Sequence, residues 1–210
     1  SDFNPVWSHD ADKVYFVSDR GNHVDGEYKA KNYNLWNYDV YQRDVFEYDL
    51  KNDKIRRLTF EPEYSKTSLA VHPDDKKLLY ASDKNGIGNI WELNLIDGST
   101  KPKTNSLTGI TQLSITPSGN KLLFTTQIDG GYDLFLIRTP FARELEIDTL
   151  PLTDFRAEQL EKEQILDDLS KEEIEEEEKE TEEKLEGYGE FEVDFSRQEV
   201  VQPNPDAADQ

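Results

Sequence analysis

The sequence predicts an all-β fold: a β-propeller segment of three four-stranded blades, followed by a C-terminal acidic helix and a flexible tail. Three observations carry this. First, the turn-and-strand stretch Val71–Leu95 recurs about 44 residues on, as Thr116–Phe124 followed by Asp133–Ile137. It also occurs upstream, as Ser8–Asp19 followed by Asp44–Leu50. Second, each copy is followed by a Leu-Thr pair: Leu58–Thr59, Leu107–Thr108 and Leu152–Thr153. Third, the strand pattern stops abruptly after Phe155. Self-similarity at about 40 to 50 residues, with about four strands per unit, is the signature of propeller blades.

The elements follow in order. Asn4–Ser8 reads as an innermost blade strand, and Val14–Ser18 as the next. Between them, His9–Asp12 has turn chemistry. Gly21 to Gln42 is an insertion of some twenty residues relative to the other copies, rich in aromatics: Tyr28, Tyr33, Trp36, Tyr38 and Tyr41. Packed on the blade edge, these rings would lengthen a hairpin. On a rigid scaffold they would instead be anchors for a protein partner, because Tyr and Trp bury large area at low entropic cost. Asp44–Leu50 and Lys54–Leu58 complete the first blade, about 1–60.

In the second blade, about 61–109, Pro73, Asp74 and Asp75 make a tight turn, since proline presets φ and aspartate bonds its own backbone. Strands are expected at Ser68–Val71, Lys77–Ser82, Ile90–Leu95 and near Lys103–Leu107. The third blade, about 110–155, is expected to use Gln112–Ile115, Lys121–Thr126, Asp133–Arg138 and about Thr149–Leu152. Residues 156–186 lack Gly and Pro and are dominated by Glu, Lys, Gln and Leu, which favour helix. The run Glu175–Glu178 sets like charges against one another. This makes 156–186 an acidic helical linker and 187–210 an extended tail, with Phe191–Phe195 alternating as one strand would.

Charge excludes some functions. The chain carries a formal −21, of which −16 falls in residues 158–210. A polyanion repels nucleic acid and anionic headgroups, so neither is an expected partner. No apolar run approaches a membrane span, so direct membrane insertion is not expected of this segment. There is no cysteine, hence no disulfide and no thiolate chemistry. The chain lacks methionine and starts inside a repeat, which reads as a piece of a longer protein.

Catalytic motifs are missing from the sequence: no G-x-S-x-G elbow, no phosphate-cradling glycine loop, no H-E-x-x-H. No cofactor is expected, and this chain is not expected to be an enzyme. His9 and His72 are read as equivalent turn positions. Asp19, Asn22, Asp25 and Glu27 place four oxygen donors in one loop, the one calcium candidate. Their spacing is not that of an EF-hand, and a solvated turn accounts for them.

The repeat resembles the TolB-like propeller family, on Trp7–Gly21 with Arg57-Leu58-Thr59, and on Val71–Gly86. Thr125-Thr126-Gln127 departs from the family pattern in the third copy. Gly130–Phe135 with Thr139-Pro140-Phe141 is similar to bacterial envelope proteins whose propeller precedes an outer-membrane barrel. The acidic linker is similar to that of tricorn-type peptidases. The first resemblance implies a non-catalytic protein-interaction or scaffold module in the periplasm or cell envelope. The second implies a substrate-gating propeller segment, cytoplasmic, with its catalytic domain outside this chain. Family propellers close with more blades than three, so the resemblance implies a protein partner or remaining blades of the same parent protein.

Overall fold

The computed structural model describes residues 1–24, 43–61, 64–166, 168 and 171. They hold eleven strands in three antiparallel sheets. The β structure belongs to one compact unit, Ser1–Glu158; residues from Gln159 onward form a second. Three such sheets in succession are blades of a partial β-propeller.

The first sheet has the order β1 (Asp2–Trp7), β2 (Lys13–Ser18), β3 (Asp44–Asp49), β4 (Lys54–Arg57). The second runs β5 (Lys66–Val71), β6 (Lys77–Ser82), β7 (Asn89–Asn94), β8 (Thr100–Pro102). The third contains β9 (Ile110–Ile115), β10 (Lys121–Ile128) and β11 (Gly131–Arg138). The register repeats between sheets. Ser18 pairs with Asp44, Ser82 with Asn89, and Thr126 with Asp133. Two steps further along lie the cross-strand aromatic pairs Phe16–Phe46, Tyr80–Trp91 and Phe124–Phe135.

Each turn between the first two strands is built alike. Ala11, Asp75 and Gly119 adopt left-handed φ of 59°, 55° and 70°. Their amides donate to the carbonyls of Ser8, His72 and Thr116. His72 therefore corresponds to Ser8, so His9 and His72 are one position out of step rather than equivalent. Each innermost strand also bulges at a left-handed residue: Asn4, Ser68 and Gln112.

Two cores lie between the sheets. Tyr15, Val17 and Val45 of the first meet Leu69, Leu78, Tyr80, Trp91 and Leu93 of the second. Ala70, Leu79 and Ile90 of the second meet Ile110, Leu122 and Phe124 of the third. The second sheet is thus apolar on both faces, as a blade stacked between two others requires.

Two outer strands differ from expectation. In the second blade the strand is Thr100–Pro102, not 103–107, because Gly98 at φ +76° closes a short turn after Asn94. In the third sheet there are three strands, and residues 149–152 form none. After β11, Thr139 turns left-handed and Pro140–Ala142 make one 3-10 turn. Phe141 is buried in the core between the second and third sheets, with its ring edge-on to His72 at 4.5 Å. Leu150 then enters the core between the first and second sheets. The chain leaves the third sheet because these two apolar anchors lie on the second. Residues 154–166 are helical.

Candidate interaction surface

The structure repeats one polar clasp at the outer side of the blades. In the first blade, the Thr59 hydroxyl donates to Asp44 Oδ1 (2.5 Å) and accepts from the Val45 amide (3.0 Å). The Leu58 amide donates to the Val45 carbonyl (2.8 Å). In the second, the Thr104 hydroxyl donates to Asn89 Oδ1 (2.9 Å) and accepts from the Ile90 amide (2.9 Å), while Lys103 N–H reaches the Ile90 carbonyl (2.8 Å). The residue that closes the second blade is therefore Thr104. Leu107 of the Leu107–Thr108 pair is 93% exposed. The third pair, Leu152–Thr153, is diverted: the Thr153 amide donates to the Asn85 carbonyl of the second blade (2.9 Å).

Ion clusters lie beneath the clasps. Asp44 is buried and carries Arg57 and, at 3.2 Å, Lys66. Glu92 is buried between Lys77 at 3.2 Å and Lys103 at 3.1 Å. Both clusters are held by neighbouring strands, which makes them blade fastenings rather than open sites. The hydroxyls of Tyr15 and Tyr80 are pushed well above the usual phenol range by burial and, secondarily, by the nearby carboxylates of Glu47 and Glu61 respectively. Both stay protonated at neutral pH and act in packing.

The sequence candidates are placed as follows. Tyr28, Tyr33, Trp36, Tyr38 and Tyr41 lie outside the described residues, as does Phe191–Phe195. Of the calcium candidates, Asp25 and Glu27 also lie outside. Asp19 accepts from the Ser1 ammonium, and Asn22 Oδ1 accepts from Arg57 Nη1 at 2.7 Å. Among the described residues, no group of three or more His, Asp or Glu side chains converges as a metal site.

The described residues also form concave and open features. A groove of about 420 Å³ lies where β1, β5 and β9 converge, with Trp7, His9, Ala70, Leu113 and Pro117 in its walls. A hollow of about 290 Å³ lies on the outward face of the first sheet, against Phe3, Pro5, Val14, Tyr48 and Ile55. A further open feature is the outward face of the third sheet. Leu123 pairs with Leu136 and Thr125 with Leu134, so Leu123, Leu134, Leu136 and Tyr132 share that face. They are 45%, 73%, 49% and 72% exposed. At the positions of Leu123 and Leu134 the other blades carry Tyr15 and Val45, and Leu79 and Ile90, all buried; at that of Leu136 they carry the buried carboxylates Glu47 and Glu92. Sequence periodicity could not mark this face, because an apolar strand reads alike whether or not a neighbour covers it.

No family model matches the chain, and no curated protein matches it in sequence. Among solved structures it is similar to the putative TolB of Agrobacterium tumefaciens, at 18% identity and a TM-score of 0.52, over 67% of this chain and 46% of that one. It is also similar to TolB from Acinetobacter baumannii, at 16% identity and a TM-score of 0.44, over 71% and 45%. The tricorn protease aligns at 10% identity and a TM-score of 0.41, over 60% of this chain and 11% of that one. The first similarity is one of fold: a TolB-like β-propeller. The chain spans less than half the length of either TolB chain.

Proposed function

We propose that this chain is a non-catalytic protein-interaction module of a larger bacterial cell-envelope protein. The observation that supports it is the outward face of the third sheet. Three leucines on paired strands of one sheet, Leu123, Leu134 and Leu136, face solvent beside Tyr132, at positions that are buried in the preceding blades. Such patches mark surfaces that bind protein. Burial of one leucine contributes about 1.5 to 3 kcal/mol, so Leu123, Leu134 and Leu136 together give a substantial driving force. The partner is a protein surface, either a separate protein or further blades of the same parent protein. The aromatic insertion Gly21–Gln42 is a second contact in this reading. The periplasmic setting rests on the resemblance to envelope propellers.

The test is capture of partners from a bacterial envelope fraction by three forms of the chain: wild type, Leu134→Asp/Leu136→Asp, and a form lacking 21–42. The expected result is loss of a wild-type partner in the double variant, with circular dichroism unchanged. Equal recovery by all three forms would overturn the reading.

A further inference from the structure

The third sheet lacks its outer strand among the described residues, and β11 is its edge. That edge has the residues needed to take one. Asp133 and Leu134 stand in the register of Asp44–Val45 and Asn89–Ile90. In both complete blades, a threonine hydroxyl donates to the side chain of the first residue and accepts from the amide of the second, whose carbonyl accepts a strand amide. Asp133 and Leu134 are exposed.

The two complete blades also state what the occupant must carry. Where the acceptor is Asp44, an arginine two residues before the threonine pairs with it: Arg57 Nε lies 3.1 Å from Asp44 Oδ2. Where the acceptor is the neutral Asn89, that place is Pro102. The third blade has aspartate, so it matches the first. The required pattern is Arg-x-Thr on an extended strand. Within the 210 residues this pattern occurs once, at Arg57-Leu58-Thr59, which is already engaged in the first blade. The pair Leu152–Thr153 is held on the second blade.

We propose that the β11 edge at Asp133–Leu134 is a strand-acceptor site for an extended Arg-x-Thr segment of a partner polypeptide. The segment pairs antiparallel to β11. Its threonine hydroxyl bridges the Asp133 carboxylate and the Leu134 amide, its arginine pairs with the same carboxylate, and its backbone extends the sheet. This deepens the interaction-module reading and rests on it.

The probe is a fluorescent peptide of residues 54–60, Lys-Ile-Arg-Arg-Leu-Thr-Phe, titrated onto the full 210-residue chain and followed by anisotropy. Saturable binding is expected. It should weaken at least about fivefold when the peptide carries Thr59→Ala, and again when the wild-type peptide meets Asp133→Ala chain. The Thr59→Ala peptide keeps the same charge, so attraction to the acidic tail is equal in both titrations. It also needs no variant protein, so the test survives if Asp133→Ala folds poorly. Absence of saturable binding, or equal affinity for both peptides, overturns the proposal. Were envelope capture then still lost in Leu134→Asp/Leu136→Asp, the module reading would stand without this site.

Discussion

Lys103 joins two parts of the fold through one ammonium group. It is 1% exposed, lies 3.1 Å from Glu92, and donates to the carbonyls of Phe141 (3.0 Å) and Arg143 (2.7 Å). Removing one member of a buried ion pair strands the other, at a cost of about 3 to 5 kcal/mol. Glu92 keeps Lys77 at 3.2 Å, which softens the loss. Lys103→Met is therefore expected to lower unfolding stability by about 3 kcal/mol, read from the denaturant midpoint at unchanged slope. A loss below about 1 kcal/mol would mean that the cluster behaves as a solvated surface pair. In the sequence, Lys103 is one lysine among many, expected at the start of an outer strand. Only the fold shows that it is buried, because its partners lie 11 residues upstream and about 40 downstream.

At the scale of elements, the segment 139–157 decides how the third blade ends. It crosses to the second blade and lodges Thr153 against Gly86. Gly86 sits at φ +99°, and a Cβ there would come within 2.1 Å of Thr153 Oγ1. Gly98, at φ +76°, has nothing within 4 Å. Both glycines relieve left-handed strain, but only Gly86 also makes room for a neighbour. Gly86→Ala is expected to cost about 2 to 3 kcal/mol and to speed proteolysis within 139–157. Gly98→Ala should cost about 1 kcal/mol and leave the cleavage rate there unchanged. Equal effects of the two substitutions would show that the segment is not held at Gly86. The inner elements were legible in the sequence: the turns, β2, β6 and β10 begin within a residue of expectation. The outer elements were not. The Leu-Thr pairs look alike as dipeptides, yet only Thr59 of the three meets a clasp. Which hydroxyl reaches the acceptor depends on turn length and on where apolar anchors such as Phe141 and Leu150 find a core.

Over the whole molecule, several carboxylates titrate low. Burial opposes the shift of Asp2, but hydrogen bonds and charge from Arg20, with Ser18, hold it below the usual range. The Ser8 hydroxyl does the same for Asp10, Asn52 for Asp49, and Ser99 for Asp97. Lys101 holds Glu144 low. A lowered folded-state pKa means that the unfolded chain binds protons more readily. The stabilisation is therefore complete above the unfolded carboxylate range, near about 4, and is lost as pH falls through it toward the lower folded values. The thermal midpoint of the chain is expected to drop steadily from pH 5 to pH 3. A midpoint that stays level or rises over that interval would refute this account.

The sequence by itself determined that the chain builds repeated antiparallel sheets, where their inner turns fall, and that the acidic excess lies beyond them. These are local matters, set by turn residues, by strand patterning and by a repeat that copies both. The tertiary structure alone decided which threonine closes each of the first two blades, and that among the described residues the third sheet has an open edge and an exposed apolar face. Those depend on distant partners reaching one another in space. A strand carries the same pattern whether its neighbour arrives or goes elsewhere.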